Sequence, residues 1–127
     1  MKYYNVEGYV RHKLELEELL KRMERDGEIV YSDSEGTVDY MQMANSSIIK
    51  MWMPLCEALA RKFATSQQAI GVMTIRDLIS CGYLGLCKAV AKLDRQMLAD
   101  SEDPEKTIKS FLSKRIRGAI RRQIDIN

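Results

Sequence analysis

A chain of 127 residues with net charge +2, 46% hydrophobic and 30% charged, is long enough for one buried core and short for two domains. Both charge signs are plentiful, which excludes a disordered polyelectrolyte, and no apolar run approaches the ~20 residues that cross a bilayer. Three cysteines without CxxC spacing and a single histidine, His12, supply no metal ligand set, so the expectation is a cytoplasmic protein with reduced thiols and no cofactor or metal.

Charge is uneven along the chain. Residues Glu7 to Glu35 hold nine acidic and five basic side chains, whereas Lys109 to Asn127 hold six basic and one acidic. The split points to a basic end that meets a polyanion.

Tyr9 to Arg25 reads as a helix, because Tyr9, His12, Leu16, Leu19, Leu20 and Met23 share one face, and Gly27 is a plausible stop. His12 is read as a packed residue. Glu28 to Gly36 contains the β-prone Ile29-Val30-Tyr31 before a turn-like run, which predicts a loop with brief strand pairing. A helical pattern follows from about Val38 to Ala64, with Pro54 expected to kink it or to begin a new helix. Its Met41, Met43, Met51, Met53 and Trp52 read as core filler or as a flexible docking surface. Thr65 to Gly71 is a polar connection.

Thr74 and Asp77 then form a near capping box for a helix over Ile75 to Leu93. Its core stripe is Ile75, Leu78, Ile79, Gly82, Leu86, Ala89, Val90 and Leu93, with Gly82 placed for close helix approach. The opposite face, Asp77, Ser80, Leu84, Cys87, Lys88 and Ala91, mixes small, apolar and charged groups and suits a partner helix. Asp94 to Glu102 reads as a linker or lid.

Asp103, Pro104 and Glu105 open the last helix as N-cap, first residue and first-turn acid. Ile108, Leu112, Ile116, Ala119 and Ile120 form its buried stripe; Ser110, Lys114, Arg117 and Arg121 gather on the far side. Phe111, Arg115 and Arg122 flank the two, beside Gly118. Four to six cations on one side fit phosphate neutralisation, and Phe111 is placed to stack on a base. Paired carboxylates, a Gly-rich phosphate loop and a nucleophile with its base are all missing, so no enzyme is expected. These patterns describe a small all-α bundle of four or five helices that binds nucleic acid.

Three stretches extend the reading. Asp77 to Asp94, DLISCGYLGLCKAVAKLD, resembles DLIxxGxxGLxxAxxxFD of region 2 in the sigma-70 family of RNA polymerase sigma factors. Leu59-Ala60-Arg61-Lys62-Phe63 resembles the IARKY upstream of it, and Ile116-Arg117-Gly118-Ala119-Ile120 matches IRGAI downstream, together covering about Ala44 to Ile124. The resemblance implies a sigma region 2-like domain over residues 44–127, with residues 1–43 an uncovered N-terminal helix and loop in one compact unit.

It further implies docking on the clamp coiled coil of the largest core RNA polymerase subunit, through Asp77, Ser80, Cys81, Tyr83 and Cys87 with Leu84 nearby. The next helix would bind promoter DNA at a minus-ten-like element, with Phe111 in the place of a family tyrosine and Arg117 and Arg122 at basic positions. Departures accompany the match. Lys114 and Arg115 stand where primary sigma factors carry a tryptophan pair, Ile108 replaces a phenylalanine, and the sequence stops soon after IRGAI. The pattern resembles phage-encoded late-transcription factors, in which a co-activator supplies upstream contacts. The alternatives are a regulator that occupies the sigma site on polymerase without reading promoters, and a general basic helical DNA-binding protein.

Overall fold

The computed structural model describes the backbone of residues 6–65 and 73–126, and the side chains of residues 13–65 and 73–126. Among these residues lie five α-helices and one 3-10 turn: α1 Val6–Arg25, the turn Tyr40–Gln42, α2 Asn45–Ala64, α3 Ile75–Ala91, α4 Arg95–Asp100 and α5 Pro104–Ile126. The expected all-α bundle is observed. No described helix is long and apolar enough to cross a membrane. The side chains of Tyr9 and His12, the early Tyr3 and Tyr4, and most of the polar connection lie outside the described residues.

α1 starts three residues earlier than its apolar pattern indicates and stops at Gly27, whose φ of +74° is left-handed. The Glu28 N–H donates to Met23 O at 2.8 Å and the Gly27 N–H to Glu24 O at 3.1 Å, the paired bonds that close a helix C-terminus. The β-prone run pairs only through an isolated antiparallel bridge, Tyr31 with Val38, around a turn in which Asp33 Oδ1 accepts from the Glu35 and Thr37 amides.

The helix expected from Val38 does not form there. Asp39 Oδ1 accepts from the Met41 amide and starts a 3-10 turn, after which Met43 and Ala44 are extended. The carbonyls of Tyr40 and Met43 both accept from Arg95 Nη1, each at 2.6 Å, and the Tyr40 carbonyl also accepts from the Met43 amide at 3.4 Å. α2 then runs through Pro54 as one helix, so no new helix begins there. Ile48 and Met51 before the proline and Cys56, Leu59 and Ala60 after it are all buried, so both halves are held on the same core.

The stretch read as a linker or lid holds α4. Asp94 caps it by accepting from the Met97 amide at 3.1 Å, and Leu98 is buried. Its Arg95 also donates to the Asn45 side chain, which ties α4 to the first turn of α2. This segment is an anchored structural element.

α3 packs against both α2 and α5. Ile108, Leu112, Ile116 and Ile120 on α5 and Leu78 and Leu86 on α3 are fully buried, each side chain contributing about 1.5–3 kcal/mol relative to exposure. The same cluster takes in Met23, Ile29, Val38, Tyr40 and Met43 from the N-terminal third. Two glycines bring the central helices together. A Cβ on Gly82 would lie 2.8 Å from Cys56 Sγ and 3.2 Å from Ile120 Cδ1; one on Gly85 would lie 2.6 Å from the Ala119 Cβ and 3.2 Å from Arg115 O. Gly82 was expected to do this, whereas Gly85 stood outside the expected stripe. Ala119 is half-buried under Gly85, and Ile75, expected in the core stripe, is 40% exposed in the first turn of α3.

Candidate nucleic-acid interface and docking face

The expected start of α5 is present. Asp103 Oδ1 accepts from the Lys106 amide at 3.2 Å, Pro104 is the first helical residue, and Glu105 in the first turn accepts from the Tyr40 hydroxyl at 2.8 Å. Burial and the Glu105 carboxylate push the Tyr40 phenol well above its ordinary pKa, so it stays a donor. The Trp52 indole N–H approaches the same hydroxyl without closing a hydrogen bond of regular geometry. This contact fixes the beginning of the basic helix to the N-terminal third.

Outward from the buried stripe, Lys114, Arg115, Arg117, Arg121 and Arg122 are all exposed, and Ser110 lies with them. At about 100° per residue they cover an arc of roughly 160°. The two ion pairs among the described residues join Lys50 to Glu28 at 2.8 Å and Arg61 to Glu57 at 3.9 Å, and neither involves α5. Asp125 is the one described acid in the second half of α5, and it lies beyond ion-pair distance of these cations. The face therefore carries uncompensated positive charge, as phosphate binding requires.

Two of these cations rest on aromatic rings. The Arg115 guanidinium lies 4.7 Å from the Phe111 ring centroid and that of Arg121 lies 5.8 Å from the Phe63 ring, at the end of α2. Phe111 is half-buried against the core, so a base stacking on it has to share its open face with Arg115. The Phe63 contact extends the face to the last turn of α2, next to the exposed Arg61 and Lys62. That extension joins positions nearly 60 residues apart, and only the IARKY-like motif marked them.

On α3 the capping box closes in both directions: the Asp77 amide donates to Thr74 Oγ1 at 3.1 Å and the Thr74 amide to Asp77 Oδ2 at 3.2 Å. Asp77 is exposed while making that bond, so its carboxylate both caps the helix and faces outward. Ser80, Tyr83 and Leu84 lie on the same outer surface, with Leu84 60% and Tyr83 42% exposed. Cys87 is half-buried at its edge, and hydrogen bonding with the Cys87 thiol one turn away raises the pKa of the Tyr83 phenol. Cys81 is half-buried against the core, where burial and then the nearby Asp77 carboxylate raise the pKa of its thiol.

Cys56 is fully buried and its thiol is pushed up to about 12, chiefly by burial, with Glu57 and Cys87 adding to the effect. Its Sγ donates to Ile79 O at 3.7 Å. A thiol protonated to that extent is a packing group. Among the described residues no group of three or more histidine, cysteine and acidic side chains gathers to hold a metal ion.

Compared with protein families, with curated proteins and with solved structures, the chain matches none of them. The functional reading therefore rests on the two faces and on the sequence motifs that lie across them.

Proposed function

We propose that this chain is a non-catalytic, sigma-like initiation factor, docking on core RNA polymerase through α3 and holding promoter DNA at a minus-ten-like element through α5. The observation that carries the reading is the pairing of two differently equipped faces on packed neighbours. α3 exposes Leu84 and Tyr83 among Asp77 and Ser80, a surface of the kind that receives a partner helix. α5 exposes cations without acidic partners. Gly82 and Gly85 hold the two helices in close contact, and the same glycines belong to the sigma-like motif. A factor that must grip polymerase and DNA at once needs such a rigid spacing between its two grips.

Run-off transcription with bacterial core RNA polymerase, on early and late phage-type templates, tests the reading. Discrete starts that need the chain, and that weaken when Arg117→Ala and Arg121→Ala are combined, are the expected result. Absence of discrete starts on every template would remove the promoter-reading half.

A second reading, a regulator that occupies the sigma site without opening promoters, has its own support. The Arg115 guanidinium lies over the Phe111 ring, and Lys114-Arg115 stand where the resembling family has tryptophans. Polymerase binding together with inhibition of transcription in the same assay would select it.

A further inference from the structure

Glycine within a helix costs stability relative to other residues, so an internal helical glycine calls for a reason. Of the five glycines whose surroundings are described, Gly27 and Gly36 have positive φ values of +74° and +91°, and Gly82 and Gly85 sit where a Cβ would collide with α2 or α5. Gly118 has neither reason. Its backbone is helical and a Cβ built on it would meet nothing within 4 Å.

What surrounds Gly118 is charge. Lys114, Arg115, Arg121 and Arg122 stand four and three residues before it and three and four after it, the positions that neighbour it on a helix surface. All four are exposed and none is paired with a carboxylate among the described residues. Two of them are steadied from outside the ring of charge, Arg115 by Phe111 and Arg121 by Phe63. The result is a notch of bare backbone with a cation at each corner. A group that enters it must be compact and anionic, and must gain from approaching the helix more closely than a side chain at position 118 would allow.

We propose that this notch seats a phosphodiester group of a nucleic-acid backbone, so that α5 grips its strand at Gly118 by charge and contact without reading a base there. The tetrahedral phosphate presents oxygens in several directions, and guanidinium groups meet them with paired N–H donors. The seat rests on the DNA-contacting half of the proposed function and is independent of polymerase docking.

The test is fluorescence anisotropy of the full chain with labelled single-stranded and duplex oligonucleotides of two unrelated sequences, across a salt series. Wild type is expected to bind both sequences alike, with log affinity falling linearly with log salt. Lys114→Gln and Arg122→Gln are each expected to reduce that slope by about 0.7–0.9, the value for one phosphate contact. Gly118→Leu keeps every charge, and its Cβ has open space, yet it should weaken binding by about tenfold, as loss of a charge-assisted contact does, with Gly118→Ala in between. Circular dichroism and melting of the two glycine variants should match or exceed wild type. Wild-type affinity in Gly118→Leu would overturn the seat while leaving DNA contact by the rest of α5 intact. Factor-dependent transcription without salt-dependent binding of the free chain would also overturn the seat and leave the initiation-factor reading standing. Binding to phosphatidylglycerol vesicles but to neither oligonucleotide would overturn the nucleic-acid assignment.

Discussion

Gly85 lies so close to α5 that a single methyl group there would fall 2.6 Å from the Ala119 Cβ and 3.2 Å from a backbone oxygen that cannot swing away. Gly85→Ala should therefore lower the stability of the fold by about 1–3 kcal/mol, the range for overpacking a tight core, measured by urea denaturation. Gly118→Ala should act in the opposite sense, raising stability by about 0.5–1 kcal/mol through helix propensity, because its Cβ has open space. Equal effects at the two positions would contradict the packing described. Cys56 adds a pH dependence. Its thiol, ordinarily ionising near 9.0, stays protonated in the folded chain to about 12, so between these values the unfolded state releases a proton that the native state keeps. Stability should fall as pH rises from about 9 towards 12, and Cys56→Ala should flatten part of that fall, with Tyr40 supplying another part in the same direction. Urea midpoints of both proteins at pH 8 and pH 10.5 measure it.

At the scale of elements, the parts legible in sequence were those written in short-range patterns. The Thr74–Asp77 capping box, the Asp103-Pro104 start and the isoleucine stripe of α5 are each contained within a few turns, and each is found as expected. α4 was read as a linker although Asp94 caps it locally, and the break before α2 was not legible, because the Tyr40 and Met43 carbonyls are held by Arg95 from 52 to 55 residues further along the chain. A guanidinium that holds the Tyr40 and Met43 carbonyls has no local signature. Arg95→Ala removes the donor to the Met43 carbonyl and leaves the Tyr40 carbonyl only the longer bond from the Met43 amide, and should cost about 2 kcal/mol, the range for hydrogen bonds to a charged group. Hydrogen exchange should then quicken across α4 and the first turn of α2 while the middle of α3 keeps its protection, and uniform quickening would show that the clasp is not a local one. The candidate site divides in the same way. Helical spacing placed Ser80 and Leu84 on one outer face of α3 and the cations on one side of α5, while the exposed Tyr83 was marked only by the family resemblance. Spacing did not reveal that Cys81 is half-buried against the core, or that Phe63 supports Arg121 from another helix.

At the scale of the molecule, the core sets α3 and α5 against each other and leaves each with an outer face of distinct chemistry. Salt should separate their partners. Binding through the cations of α5 should weaken steeply as salt rises, whereas binding through Leu84 and Tyr83, being largely apolar, should weaken much less. The central claim, that the outer face of α3 is a polymerase-docking surface, is tested most directly by titrating labelled chain onto bacterial core RNA polymerase at moderate salt. Saturable binding is predicted, competed by the isolated clamp coiled coil and weakened about tenfold or more by Leu84→Asp, which buries a charge in an apolar contact. Arg121→Gln should leave it unchanged. Absence of binding to core, or undiminished binding by Leu84→Asp, would contradict the account.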